Sequence, residues 1–122
     1  MRKTVFLIFF PFFLQGENSF ITDYEYAKML YENPRGIGCD KCHTKNAGGK
    51  KIASYYDKKK KKTVYIETPD IRELDKKSFF KAFKNNHSVM PTYFLTIEEL
   101  ESLYYYVQNQ KKLKKDKNEH KK

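Results

Sequence analysis

The chain has 122 residues, room for one domain whose core is modest and which gains from a disulfide, metal or cofactor. Ten Tyr and ten Phe make it rich in aromatic rings for so polar a composition, and no Trp is present. Twenty-five Lys and Arg against fifteen Asp and Glu give a formal charge of +10, which points to an acidic partner or surface: nucleic acid, anionic lipid or an acidic protein.

The first sixteen residues, "MRKTVFLIFFPFFLQG", place Arg2 and Lys3 before an apolar run from Val5 to Leu14 that is too short to span a bilayer as a mature helix. This is the pattern of a secretory signal at 1–16, with Leu14 and Gly16 at the −3 and −1 positions of a cleavage site. Retention as a membrane anchor is the alternative. The mature domain is expected over 17–110, in the periplasm of a Gram-negative bacterium, and export argues against a nucleic-acid partner.

A helix is expected next. Thr22 and Glu25 form a capping box, Ile21 and Tyr26 a hydrophobic staple, and Tyr24, Ala27, Leu30 and Tyr31 share one face until Asn33-Pro34 ends the run. Then comes "GIGCDKCHTK", which holds both cysteines of the chain. Beyond it, "IASYY" and "TVYIE" read as short strands joined by "DKKKKK", a hairpin with a lysine tip. "TPDI" marks a turn, and Asp75 caps a short helix carrying Phe79, Phe80 and Phe83. Thr96 with Glu99 makes a second capping box, and Leu95 with Leu100 a second staple. Leu100, Leu103, Tyr104 and Val107 then define the buried face of a helix from Ile97 to Gln110. Residues 111–122, "KKLKKDKNEHKK", have almost nothing to bury and are expected to be a disordered basic tail.

Four chemistries fit Cys39, Cys42 and His43. A two-residue disulfide loop stabilises poorly, a thioredoxin-like thiol pair lacks its βαβ context, and zinc needs a fourth ligand, for which His87 and His120 are candidates at no finger-like spacing. Covalent haem uses all three residues: the thiols add across the porphyrin vinyl groups, and the adjacent imidazole reaches the iron. A sixth ligand is then required. Met29 lies on the proximal side of the chain and His120 in the tail, which leaves His87 and Met90 in "NNHSVMPTYF". Pro91 stiffens that loop and restricts Met90 to extended conformations, which favours Met90.

With those residues in place, the stretch from Asp23 to Gln110 resembles the monohaem class I cytochromes c, small exported or mitochondrial electron carriers. The likeness is carried by Cys39, Cys42 and His43 after a first helix, and by Met90-Pro91 before a last one. Ala27 with Tyr31, and Leu103 with Tyr106, match the crossing of those helices. It implies a mostly α fold of about three helices around one covalent haem c, with a longer lysine-rich loop or hairpin after the motif. It also makes Pro69 the residue whose carbonyl accepts the proximal imidazole N–H, and Ile71 an apolar residue on the haem. Phe79, Phe83, Tyr93 and Phe94 are expected to bury the group. The implied role is a monomeric electron carrier rather than an enzyme, docking through lysines on acidic redox proteins such as an oxidase, a reductase or another cytochrome. A membrane enters only through those partners or an uncleaved signal. A haem enzyme or gas sensor with a labile or absent sixth ligand is the alternative.

Overall fold

The chain, described by a computed structural model over residues 20–85, 87 and 89–121, folds around the crossing of its first and last helices. The expected signal at 1–16 lies outside these residues. Helix α1 (Asp23–Glu32) starts at Thr22, whose hydroxyl accepts from Glu25 N while the Glu25 carboxylate accepts from Thr22 N. Helix α4 (Ile97–Glu119) opens with the same device at Thr96 and Glu99. These boxes satisfy amides at the helix starts that have no intrahelical partner.

The two helices bury one seam. Ala27 is fully enclosed, so the backbones approach closely, and Tyr31, Leu103, Tyr106 and Val107 fill the space around it. The rings of Tyr31 and Tyr106 lie 4.6 Å apart, tilted by 33°, and Tyr24 packs on Tyr106 at 5.7 Å. Gln110, the last buried position of the seam, donates to the Tyr24 hydroxyl.

Between them lie α2 (Cys39–His43), the antiparallel strands β1 (Lys51–Asp57) and β2 (Lys62–Glu67), and α3 (Lys76–Ala82). Asp75 caps α3 through Ser78 N, and Phe79 is buried against Phe80, Phe83 and Tyr104. The strands form because β-branched and tyrosyl residues cluster on them. Their lysine turn needs no glycine, because Asp57 Oδ1 accepts from the amides of Lys59 and Lys60 and Lys61 takes a left-handed φ of 49°. A bulge between Lys51 and Ala53 breaks the register, and Ile52 is half-buried there.

Two expectations are corrected. The mostly α class I cytochrome c fold of about three helices is not what forms: the described residues make four helices and a two-stranded sheet, a small mixed α/β arrangement. The helix not expected is α2, into which the motif coils, and the lysine-rich hairpin that was expected forms a regular two-stranded sheet. The disordered tail is also absent, because α4 continues past Gln110 to Glu119. No Gly or Pro interrupts it, and Lys111 and Lys114 reach Glu73 (3.0 Å) and Asp70 (3.4 Å) on the preceding loop. Among the described residues, no helix is long and apolar enough to cross a membrane.

Leu103, 1% exposed, sits where the seam meets the interior. Leu103→Ala is expected to lower the unfolding free energy by about 2–5 kcal/mol in chemical denaturation, the range for emptying such a site.

Candidate functional site: an apolar cavity fronted by Cys39, Cys42, His43 and Met90

Helix α2 is set by close backbone approach. A side chain at Gly38, its N-cap, would collide with the carbonyl of Glu32 and the carboxylate of Asp40, so glycine is required there. After His43 the chain turns sharply through two non-glycine residues in the left-handed region, Thr44 (φ 67°) and Ala47 (φ 59°). Such conformations cost of order 1–3 kcal/mol each and persist where surrounding contacts over-determine them. Those contacts are identifiable. Tyr31 from α1 donates to Thr44 O at 2.7 Å, Tyr106 from α4 donates to Lys45 O at 2.7 Å, and Gly49 N donates to His43 O at 3.0 Å. On the other side of the motif, Tyr93 donates to Ile37 O at 2.6 Å, and Thr68 Oγ1 donates to Cys42 O at 2.6 Å.

The residues so held surround an apolar cavity of about 440 Å³. Cys39, Cys42 and His43 line it together with Pro69, Ile71 and Leu74 from the segment after β2. Ile52 and Ile66 come from the hairpin, and Phe79 and Phe83 from α3 and its C-cap. His87, Met90, Pro91 and Tyr93 come from the connection to α4. The expected site residues are therefore brought to one cavity. Of the rings expected to bury a group, Phe79, Phe83 and Tyr93 line it. Phe94 does not: it is 87% exposed, and its place in the fold is marked by its carbonyl, which accepts from Arg35.

His43 Nδ1 lies 3.3 Å from Pro69 O, the geometry in which an Nδ1–H tautomer donates to that carbonyl and Nε2 keeps its lone pair. Burial lowers the His43 pKa and favours the neutral ring, with the Pro69 bond acting the other way. Both thiols are free and half-buried. Burial, reinforced by Asp40 and Cys42, pushes Cys39 up to about 12, so it is a thiol at neutral pH rather than the thiolate of a dithiol oxidoreductase. Met90 is half-buried at the cavity. His87 is exposed, and its Nε2 lies 2.8 Å from Ala82 O at the end of α3. Met29 is 59% exposed on α1, and neither it nor His120 lines the cavity. Among the described residues, no three His, Cys, Asp or Glu side chains converge in metal-ligand geometry.

The donor set of two thiols, an imidazole and a thioether around an apolar hollow fits a flat, largely apolar, iron-bearing group attached through sulfur. Comparison with family models, with curated proteins and with solved structures finds no match for this chain. Sequence reasoning missed four contributors: Ile52, Ile66, Tyr31 and Tyr106. The strand character of "IASYY" and "TVYIE" is legible, but only the pairing register brings Ile52 and Ile66 to the cavity. The hydroxyl roles of Tyr31 and Tyr106 carry no local signal, because a tyrosine on a helical apolar stripe reads as core.

Two carboxylates flanking this architecture are strongly depressed. Hydrogen bonds from Arg35 hold Glu99 at about 2, against an ordinary 4.5, and those from Arg72 hold Asp70 at about 2, against 3.8. A folded-state pKa below the unfolded one contributes stability above the unfolded value and loses it as pH falls through the folded value. The thermal midpoint is therefore expected to be flat above roughly pH 5 and to fall between roughly pH 4 and 2. In Glu99→Gln the midpoint at neutral pH drops and the acid limb becomes shallower.

Proposed function

We propose that the chain is an exported one-electron carrier built on a single covalent haem c. In this reading Cys39 and Cys42 form the thioethers, and His43 and Met90 are the axial ligands. The observation that carries it is the convergence of those four side chains on one apolar cavity, with the second nitrogen of His43 already turned to the Pro69 carbonyl. The likeness to monohaem class I cytochromes c is one of motif order, and their fold is no part of it.

Held by Cys39, Cys42, His43 and Met90, a haem would supply a one-electron iron couple, and with two side chains as ligands it would suit electron transfer rather than substrate binding. The chain's own residues do the rest. The Pro69 carbonyl orients the imidazole and raises its basicity, as outer partners of metal-bound histidines do. Ile52, Ile66, Ile71, Leu74 and Phe79 exclude water, and with a thioether ligand they favour the reduced state. Met90 is preferred to His87 as the second ligand because Met90 is half-buried at the cavity and restricted to extended conformations by Pro91, whereas His87 is exposed.

The partners are acidic redox proteins of a periplasmic respiratory chain, met through weak, charge-steered interfaces that suit a basic carrier. The lysines at 58–62 on the hairpin turn and those along the end of α4 are exposed and supply that charge.

An absorbance spectrum of the purified protein tests the reading. Sharp low-spin bands on reduction and a weak far-red band when oxidised are expected, and Met90→Ala is expected to lose the far-red band while keeping the haem attached. A high-spin spectrum that shifts with carbon monoxide would point instead to a haem enzyme or gas sensor. A colourless protein would end both haem readings.

A further inference from the structure

The connection from α3 to α4 carries Met90 to the cavity without regular secondary structure of its own. Among the described residues, the hydrogen bonds that join 89–95 to another segment lie at two adjacent positions. Tyr93 donates to Ile37 O at 2.6 Å, and the carbonyl of Phe94 accepts from Arg35 Nη2 at 2.7 Å. Arg35 also grips Glu99 through both carboxylate oxygens, at 2.6 and 2.7 Å. One guanidinium thus ties the segment before Cys39 both to the Met90 connection and to the first turn of α4. Arg35 does this from a left-handed φ of 59°, a conformation unusual for a residue with a side chain. The Tyr93 ring meanwhile lines the cavity, lies edge-on to Phe83 at 6.5 Å, and faces Gly36.

We propose that Arg35 and Tyr93 form a two-point clamp that holds the Met90 connection over the cavity, and that they are positioning residues setting how readily an outside ligand displaces the Met90 thioether. This rests on the reading of Met90 as an axial ligand. Neither residue touches the iron. They act by fixing the backbone three and four residues beyond Met90 to the segment two to four residues before Cys39, so that the two sides of the cavity are closed by the same bonds. Pro91 limits the freedom between Met90 and the clamp, so little slack separates the anchored point from the thioether.

The test uses the holoprotein in four forms: Tyr93→Phe, Arg35→Gln, the unaltered chain, and Glu101→Gln as a control that removes the exposed Lys76–Glu101 pair elsewhere on α4. Three readouts are taken: affinity of the oxidised protein for free imidazole, amide hydrogen exchange over 89–96, and the thermal midpoint. Each clamp variant is expected to bind imidazole about tenfold more tightly, the factor that corresponds to one lost hydrogen bond. Exchange over 89–96 should quicken while the helix-seam amides stay protected, and Glu101→Gln should leave imidazole affinity unchanged. Faster exchange with unchanged imidazole affinity, or no change in either, overturns the proposal. A far-red band that survives Met90→Ala overturns the ligand reading beneath it and the ligand-exchange claim together. Exchange in Tyr93→Phe then still reports whether the clamp holds the connection.

Discussion

The structure depends on the contact between Tyr31 and Tyr106 where α1 crosses α4. Their rings stack inside the seam, and their hydroxyls pass out of it to the carbonyls of Thr44 and Lys45, the two residues after His43. Burial pushes the Tyr106 hydroxyl up to about 12 and raises that of Tyr31 as well, so both remain protonated donors. One pair of side chains therefore joins the two largest helices and fixes the exit of the motif. The left-handed turn that follows is held open by those same bonds, and Gly49 and Ala47 use it to reach His43 O and to accept from Ile71 N. Through Ile71 the turn sets the segment that carries Pro69, and through Pro69 the orientation of His43.

This explains the composition. Ten tyrosines are more than a core of this size needs for apolar filling, but four of them spend their hydroxyls on backbone carbonyls: Tyr31, Tyr93, Tyr104 and Tyr106. Phenylalanine at 31, 104 or 106 would fill the same volume and leave a half-buried carbonyl without a donor, a cost of about 1–3 kcal/mol apiece.

What could be read from the sequence follows the range of the forces involved. Both capping boxes and the Asp75 cap are interactions across three residues, and each forms where the residue types announce it. The hairpin was visible because β-branched and aromatic residues cluster on either side of a charged turn. The persistence of α4 was not visible, because it depends on Lys111 and Lys114 meeting Glu73 and Asp70, residues some forty positions away. The same applies to Phe94: its ring suggested burial, but its position is set by Arg35 holding its carbonyl, which leaves the ring outside. The mostly α expectation came from the order of motifs, which concerns a few side chains and says little about how the chain between them is folded. The cavity residues from Cys39 to Met90 were named from their chemistry, whereas its walls at Ile52 and Ile66 required the register of a sheet.

The hairpin begins and ends at one place. Thr68 N donates to Lys50 O at 2.9 Å, Lys50 N donates to Thr68 Oγ1 at 2.8 Å, and that same hydroxyl holds Cys42 O. The chain leaves the motif and returns to it through a closed neck, and everything beyond the neck lengthens the protein without lengthening the path from His43 to Pro69. Strand length, the number of lysines in the turn and the tyrosines on its outer side are thereby free to drift or be traded by insertion and deletion. The placement of His43 against Pro69 is insulated from that drift by a single threonine.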